Sequence, residues 1–182
     1  MGEKFASINE KHAAFIRKQQ MYFVATATAD SRINLSPKGM DSLRILAPDR
    51  VIWLNLTGSG NETAAHLKTD SRMTIMFCAF EGPPLILRLY GAACMVLPPD
   101  EAWDELYAHF EPQPGARQIF DLSVDLVHTS CGFGVPLYDF IGQRPVLNRW
   151  AEKKGEAGIR DYWREKNSIS LDGEPISIVE GE

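Results

Sequence analysis

The sequence contains few cysteines: Cys78, Cys94 and Cys131 are widely spaced, and no CxxC pair occurs. Isolated cysteines in an odd number favour neither a disulfide framework nor a zinc knuckle. No group of histidine, cysteine or carboxylate residues has the spacing of a metal site, so we expect no metal. A basic excess is also lacking, because the net charge is −5. This charge disfavours a nucleic-acid partner without excluding a single bound phosphate group.

Long apolar runs are lacking as well. The N-terminal stretch MGEKFASINEKHAAF has no apolar core of signal-peptide length, and no later run is long enough to cross a membrane. The hydrophobic content of 45% and the charged content of 24% are ordinary for a globular protein with a buried core. These features predict a cytoplasmic protein without a membrane partner.

Short apolar segments alternate with turn residues along most of the chain, which is typical of antiparallel strands. The pattern predicts strands over 22–28, 33–36, 43–46, 51–56, 73–80, 85–97 and 120–129, and helices over 8–20, 61–68, 101–110 and 145–166. Gly91 lies inside a long strand and indicates a bulge or bend there. Because helices separate only some of the strands, the pattern favours a closed antiparallel barrel over a doubly wound parallel sheet.

The stretch 51–67 passes from a strand to a helix through a loop of small residues, TGSG at 57–60. Its two glycines can adopt backbone angles that are closed to other residues, and Ser59 or Asn61 is placed to cap the helix. Backbone N–H groups at such a helix start favour a bound phosphate. The alternative is an ordinary capped connection that holds no ligand.

Three segments in this order carry a family resemblance: NLSPKG at 34–39, GSGNETAAHL at 58–67 and LILRLYG at 85–91. Over residues 10–135 the chain resembles the FMN-binding split-barrel family related to pyridoxamine 5′-phosphate oxidase. The resemblance implies a mainly β fold with flanking helices, built as a six-stranded antiparallel Greek-key split barrel of the FMN-binding type. It also implies a homodimer with FMN in a groove between the subunits. We therefore expect a flavin-binding domain over 1–135 and a helical C-terminal extension over 136–182 packed on the same domain.

The resemblance implies that the second strand pair and the following helix start hold the flavin phosphate. Glu62 and Thr63 stand where the oxidase has an arginine–lysine pair, so the cationic contacts pass to Lys38, Arg44 or Arg88. The residues expected to contact the cofactor are Lys38, Asp41, Ser42, Leu43, Arg44, Asn55, Leu56, Thr57, Ser59, Asn61, Glu62, Thr63 and Arg88. A carboxylate beside a phosphate costs free energy, so Glu62 is expected to point away or to make a capping contact.

Several of these residues also have a purely structural interpretation. Lys38 is either a cation for the cofactor or a solvated loop lysine. Arg88, in a strongly apolar strand, needs an anionic partner, which is either the cofactor phosphate or a carboxylate. The carboxylates considered are Glu81, Glu62 and Asp41. His66 is expected to donate to a backbone carbonyl at the edge of the core.

The resemblance favours an FMN-dependent oxidoreductase that acts on an unknown small molecule. The flavin supplies the redox chemistry, so no acid–base constellation is required and no catalytic residue is identified. A second hypothesis is a non-catalytic flavin or haem carrier on the same barrel, with His66 or His128 as a haem ligand. A third hypothesis is a reductase that uses a deazaflavin.

Overall fold

The structure is a computed structural model, and it describes residues 2–176. The strands are β1 (Glu3–Phe5), β2 (Tyr22–Thr26), β3 (Asn34–Lys38), β4 (Leu43–Ala47), β5 (Arg50–Leu56), β6 (Arg72–Cys78), β7 (Ile86–Val96) and β8 (Ala116–Ser130). The helices are α1 (Glu10–Lys18), α2 (Glu62–Leu67), α3 (Trp103–Tyr107) and α4 (Val146–Lys166). The chain is mainly β with flanking helices, and none of the helices described is both long and apolar enough to cross a lipid bilayer.

All the strands belong to one antiparallel sheet of eight strands. Their order is β3-β2-β6-β7-β8-β5-β4, and β1 pairs with β8 beside this path. Strand β8 is the centre of the sheet, because its 15 residues pair with β1, β5 and β7. Within residues 2–176, β3 and β4 end the path without pairing with each other. The prediction of six strands in a closed barrel is therefore not confirmed, since the sheet has eight strands and stays open between β3 and β4.

The inner face of the sheet encloses the main core. Val24, Ile75, Leu89 and Val127 lie side by side on four neighbouring strands, and none of them is exposed. Burial of each such side chain contributes about 1.5–3 kcal/mol. This shared core, rather than the short helices, supplies most of the stabilisation.

A second, smaller core lies on the outer face of β5 and β8. There Ile52, Leu54 and Ile119 pack against Trp103 and Leu106 of α3. The helix predicted over 101–110 is present but shorter, over Trp103–Tyr107.

Gly91 lies at a bulge in β7 and β8. Tyr90 pairs with Leu126 and Gly91 with Val124, so β8 contains one extra residue at this point. A Cβ on Gly91 would lie 1.9 Å from the Ser123 carbonyl oxygen, a distance that only glycine avoids. The bulge predicted from the sequence is confirmed.

Helix α4 continues the chain beyond the sheet, as predicted, with a bend at Gly155, where φ is 65°. Its Ala151 and Ile159 are buried, and Trp163 packs against the main core. The division of the chain at residue 135 stays a prediction, and residues 177–182 of the predicted extension lie outside the described residues.

Candidate functional site

The sheet is open between β3 and β4. On its inner side, this opening leaves a gap between β3 on one side and β5 with the start of α2 on the other. Asn34, Ser36 and Lys38 lie on the inner side of β3, because they are opposite the core-facing residues of β2. Two side-chain hydrogen bonds cross the gap: Asn34 Nδ2 donates to Thr63 Oγ1 at 3.1 Å, and Lys38 Nζ donates to Asn55 Oδ1 at 3.3 Å. We call this gap the crevice. Side chains rather than backbone hydrogen bonds bridge it.

A polar cluster lies beneath Lys38 in the crevice. Lys38 Nζ lies 5.0 Å from the centroid of the Trp53 ring, which is a cation–π distance. Asn55 Nδ2 donates to Gln118 Oε1 at 2.9 Å. Trp53 Nε1 and Gln118 Nε2 are buried donors without a partner among the described residues. An unpaired buried donor costs about 1–3 kcal/mol, so this cluster suits a ligand that carries hydrogen-bond acceptors.

Arg117 adds a second cation next to this cluster. The pairing of β5 with β8 shifts register here and leaves Arg117 as the extra residue of a bulge, which re-aims its side chain. Its guanidinium donates from Nη1 to Asn167 Oδ1 at 2.6 Å and from Nη2 to the Gly60 carbonyl at 3.1 Å. Arg117 is only 2% exposed, and its Nε has no partner among the residues described.

Lys38 and Arg117 form a pair of cations without a neighbouring carboxylate. Burial, together with the charge of Arg117, lowers the pKa of Lys38 to about 8. Burial also lowers the pKa of Arg117 to about 10. Within residues 2–176, neither cation lies within ion-pair distance of an aspartate or glutamate. Because an uncompensated buried charge is costly, the pair favours the binding of an anion.

The lowered pKa of Lys38 predicts how stability depends on pH. The unfolded chain holds this proton up to about pH 10.4, whereas the folded chain loses it at about pH 8. Between these values the unfolded state binds more protons at Lys38, so the free energy of unfolding of the ligand-free protein should rise with pH. Urea unfolding from about pH 8 to pH 10 measures this rise.

The variant Lys38→Met provides the control for this pH dependence, because it has no amine to titrate. The Lys38 contribution should be absent from it, so the difference between the two proteins should widen between about pH 8 and pH 10. Burial raises the pKa of Cys78 and Cys94, which opposes the rise near and above the ordinary thiol pKa, and it raises the pKa of Tyr22, which opposes the rise only above about pH 10. These groups are present in both proteins. A difference between the wild-type and variant free energies of unfolding that stays constant from about pH 8 to pH 10 would contradict the prediction.

The C-terminal segment, residues 167–176, covers the loop at 57–60. The Asn167 side chain is fully buried, and its Nδ2 donates to the carbonyls of Gly58 at 3.1 Å and Ser59 at 3.4 Å. Trp163 Nε1 of α4 donates to Thr57 Oγ1 at 2.8 Å. The loop is therefore held through its carbonyl and hydroxyl oxygens, and its backbone N–H groups at 58–60 make no hydrogen bond to the described backbone.

The prediction that Ser59 or Asn61 caps α2 is wrong. Asn61 makes no side-chain capping bond, because its Nδ2 turns to the Asn167 carbonyl at 3.5 Å. Ser59 is exposed and does not replace it as a cap. The Glu62 carboxylate accepts from the Leu171 N–H at 3.0 Å, and its Oε1 lies 4.0 Å from the position that a Cβ on Gly60 would take, so it stays beside the loop instead of pointing away from it. Side chains that were predicted to cap the helix locally therefore contact the C-terminal segment instead.

Asp41, Ser42 and Arg44 lie apart from the crevice and line a separate cavity of about 300 Å³. Arg44 Nη2 pairs with Asp41 Oδ2 at 2.9 Å, and Arg44 Nε donates to the His109 carbonyl at 2.9 Å. The Ser42 hydroxyl lies 2.8 Å from the Tyr22 hydroxyl. Arg44 is therefore already neutralised within the chain, whereas Lys38 is not.

Arg88 also lies outside the crevice, on the outer face of β7. Its Nη1 donates to Ser130 Oγ at 3.1 Å, and within the described part of the chain it forms no ion pair, so the carboxylate alternative is not realised. His66 is buried, but its Nδ1 lies 3.0 Å from Thr26 Oγ1 rather than at a backbone carbonyl. Leu43 and Leu56, the two apolar residues of the expected set, pack against the two cores.

A cavity of about 1310 Å³ adjoins the crevice at Lys38. Residues 138–147, which we call the cover segment, form its outer wall. The Tyr138 N–H donates to the Phe80 carbonyl at 2.9 Å, and the Gln143 side chain bonds the Gln20 carbonyl at 3.1 Å and the Met40 N–H at 3.2 Å. Aromatic side chains dominate the lining: Phe15, Phe80, Tyr138, Phe140 and Trp150. The cavity is large enough for a flavin ring, a small substrate, or both.

Arg117, Gln118 and Asn167 were not among the predicted site residues. The predicted strand begins at residue 120, whereas β8 begins at Ala116. The bulge removes the alternation that would have extended the predicted strand upstream. Asn167 reaches the loop from more than a hundred residues away, as its bond to Gly58 shows, and no local pattern signals such a contact.

Comparisons with known proteins agree with this architecture. The sequence profile described as pyridoxamine 5′-phosphate oxidase matches residues 8–131. The chain is 34% identical to the pyridoxamine 5′-phosphate oxidase family protein ustO of Aspergillus flavus, over 94% of this chain and 76% of that protein. Among solved structures, a single-residue variant of HupZ from Group A Streptococcus is 20% identical with a TM-score of 0.55, covering 68% of this chain and 99% of that one. A pyridoxamine 5′-phosphate oxidase-like protein of Lactobacillus delbrueckii is 18% identical with a TM-score of 0.54, covering 68% and 94%. With its sequence profile, its relative and its fold in agreement, the chain belongs to the pyridoxamine 5′-phosphate oxidase family.

Proposed function

We propose that this protein is an FMN-binding flavoprotein and an FMN-dependent oxidoreductase that acts on a small molecule. The observation that carries the proposal is the buried pair of cations, Lys38 and Arg117, which lacks a carboxylate within the described residues. A bound anion removes the cost of burying these charges. FMN carries a phosphate at one end and, at the other, a ring with several hydrogen-bond acceptors.

The donors of the crevice fit this cofactor. Trp53 Nε1, Gln118 Nε2 and Arg117 Nε are buried and unpaired, and a flavin ring and a phosphate both offer acceptor atoms. Glu62 accepts from the Leu171 N–H, and its carboxylate stays beside Gly60, so it disfavours an anion on that side of the loop and favours one on the side of Lys38 and Arg117. The expected contacts at Thr57, Ser59, Asn61 and Thr63 remain part of the proposal, since these residues surround the loop.

A bound FMN would supply hydride and electron transfer. The role of this chain would then be to bind and to orient it. Protonated Lys38 would provide a positive charge for the phosphate or for a negatively charged ring. The aromatic side chains of the cavity would cover part of the ring and reduce its contact with water.

We also propose that the protein is a homodimer that pairs through the outer face of β2, β3, β6, β7 and β8. Outward side chains on this face are mainly apolar across the register, and Arg88, His128 and Ser130 are polar members of the same rows. The apolar or weakly polar members are Leu35, Pro37, Phe23, Ala25, Thr74, Met76, Ile86, Tyr90 and Leu126. Leu35 is 62% exposed in the single chain. Because a two-fold interface buries the same patch twice, a second copy is the partner that suits this face.

Met76→Asp tests the dimer, because Met76 lies near the middle of this face, opposite Phe23 and Arg88. Each copy then buries a carboxylate in place of an apolar side chain, so the dimer dissociation constant should rise by at least about 100-fold. Sedimentation velocity at graded concentrations measures the shift. The matched control is Leu171→Asp, a change at a 73% exposed residue of the C-terminal segment. A dimer unaffected by Met76→Asp would reject this face as the interface.

The cofactor itself is tested on the purified protein. We expect an absorption spectrum of oxidised flavin, and we expect heat-released ligand to have the mass and chromatographic retention of FMN. Addition of FMN to the stripped protein should quench the flavin fluorescence with a stoichiometry of one per chain. Protein that neither releases FMN nor binds it when added would end the proposal.

The haem and deazaflavin alternatives give different outcomes in the same experiment. A Soret band would favour a haem carrier, and a ligand with a deazaflavin mass would favour the third hypothesis. The described lining of the large cavity contains no histidine, and His66 is engaged with Thr26. His128 lies on the outer face of β8, opposite Arg88, and stays the candidate ligand of the haem hypothesis.

A further inference from the structure

Asn167 lies between Arg117 and the loop at 57–60, and both polar atoms of its side chain have partners. Its Oδ1 accepts from Arg117 Nη1 at 2.6 Å, and its Nδ2 donates to the Gly58 carbonyl at 3.1 Å. The side chain is fully buried, so these hydrogen bonds do not compete with solvent. Asn167 therefore holds the Arg117 guanidinium in one orientation relative to the loop.

Contacts on both sides of Asn167 fix its own position. On the helix that precedes it, Trp163 Nε1 donates to Thr57 Oγ1 at 2.8 Å. On the other side, the C-terminal segment continues to Ile176, which is buried in the main core. Because the fold holds Asn167 independently of Arg117, its side chain is a rigid anchor for the guanidinium.

The neutrality of Asn167 matters as much as its position. An aspartate here would also accept from Arg117, but its negative charge would cancel that of the guanidinium. The other acceptor of the guanidinium, the Gly60 carbonyl at 3.1 Å, is neutral as well. Within residues 2–176, Arg117 forms no ion pair. Two neutral oxygens thus orient Arg117 and leave its positive charge available to a ligand.

We propose that Asn167 is a positioning residue that gives the crevice a preference for a phosphorylated flavin, because it holds Arg117 without neutralising it. The inference rests on the proposed binding of FMN and adds the part of the chain that selects the phosphate. Arg117 directly precedes Gln118, whose Oε1 accepts from Asn55 Nδ2. Asn55 Oδ1 in turn accepts from Lys38 Nζ. The oriented charge therefore belongs to the same polar cluster as Lys38, and both cations attract the same anion.

The ratio of the riboflavin dissociation constant to the FMN dissociation constant tests this role, because the two flavins differ only in the phosphate. Fluorescence titration of the stripped protein at about pH 7 gives both constants. Asn167→Asp should lower the ratio at least about tenfold, since its carboxylate cancels the charge of Arg117, while the riboflavin affinity should stay within about threefold. The matched control is Leu171→Asp, which adds the same charge at an exposed position of the C-terminal segment. This control should leave the ratio within about threefold of the wild-type value.

A second variant, Asn167→Ala, removes the anchor without adding a charge, and it decides the question if Asn167→Asp does not fold. It should lower the ratio by about three- to tenfold, because Arg117 is no longer held in place. Combined with Arg117→Met, it should leave the ratio of that single variant unchanged, since its effect acts through the guanidinium. A merely structural role would weaken the binding of both flavins equally. A ratio equal to that of the wild type in either Asn167 variant would therefore overturn the inference.

Inorganic phosphate separates this inference from the flavin proposal. At constant ionic strength, phosphate should raise the unfolding temperature of the wild-type protein more than that of Asn167→Asp, because a ligand of the folded state stabilises that state. A wild-type protein that binds neither flavin but shows this difference would reject the flavin proposal alone. A wild-type protein that prefers FMN, with a preference that Asn167→Asp leaves intact, would reject the positioning role alone. Equal phosphate effects on the two proteins, without flavin binding, would overturn both.

Discussion

Replacement of Lys38 by methionine should weaken FMN binding by about 10- to 100-fold, because a hydrogen bond from a charged group is worth about 1.5–3 kcal/mol. Lys38 Nζ has only a neutral amide oxygen and a ring face as partners within the chain, so its charge is available to the cofactor. Methionine keeps much of the side-chain volume and removes the charge. Fluorescence titration of the stripped variant with FMN at about pH 7 measures the loss.

The matched control for this effect is Lys18→Met, because Lys18 lines the same cavity but is exposed on α1. Its effect on FMN affinity should stay within about threefold, since exposed charges interact weakly through water. Lys38→Arg should retain most of the affinity. An affinity unchanged in Lys38→Met would show that the anionic part of the cofactor lies elsewhere.

The same contact predicts how FMN binding depends on pH. An anion that binds protonated Lys38 raises the pKa of that lysine above its value of about 8 in the ligand-free protein. Above that pH the protein must take up a proton to bind, so affinity should fall by up to about tenfold per pH unit. Below about pH 8, the protonation of Lys38 should no longer change the affinity. FMN titrations of the wild-type protein at several pH values measure this dependence of affinity on pH. The variant Lys38→Met should abolish it.

Replacement of Arg117 by methionine should reduce the free energy of unfolding by about 2–4 kcal/mol, because two buried oxygens lose a charged donor at about 1–3 kcal/mol each. These acceptors are Asn167 Oδ1 and the Gly60 carbonyl. Removal of an uncompensated buried charge offsets part of the loss, which keeps the figure below the sum of the two bonds. Urea unfolding of the ligand-free protein measures the change.

A local measurement separates this mechanism from general destabilisation. The amides of Thr57 and Asn167, which donate to the Gly115 and Trp163 carbonyls, should exchange with solvent faster in Arg117→Met, while those of the β6–β7 pair should stay protected. The control variant is Arg50→Met, which breaks the surface ion pair of Arg50 with Asp121, and it should cost no more than about 1 kcal/mol. Equal effects of the two variants would mean that Arg117 does not join the C-terminal segment to the loop.

Local patterns in the sequence predicted the elements that depend on neighbouring residues. Helix α1 forms where expected, with Asn9 as its cap accepting from the His12 N–H at 2.9 Å. The strand, loop and helix at 51–67 are present, and Gly91 lies at the expected bulge. Each of these features follows from residue spacing or from the absence of a side chain, which a sequence displays directly.

The predictions that failed concern contacts between distant parts of the chain. Asn61 has the residue type of a helix cap, but Asn167 takes its side chain into a tertiary contact. Arg44 has the residue type of a phosphate ligand, and its role in cofactor binding stays a prediction, although Asp41 already pairs with it in the ligand-free chain. Residue type limits what a side chain is able to do, and the neighbours that the fold supplies decide which of those options it takes.

The sequence by itself determined that the chain is an antiparallel β protein with a glycine-rich loop before α2 and a lysine next to the turn at Gly39 that ends β3. Alternation, turn residues and capping patterns act over a few residues, so they can be recognised in the sequence alone. Only the tertiary structure decided that the sheet stays open beside β3, that a bulge turns Arg117 toward Asn167, and that Lys38 has no carboxylate partner within the described residues. Those features arise from pairing and burial between segments far apart in the chain, and the electrostatic environment of a buried charge depends on all of them.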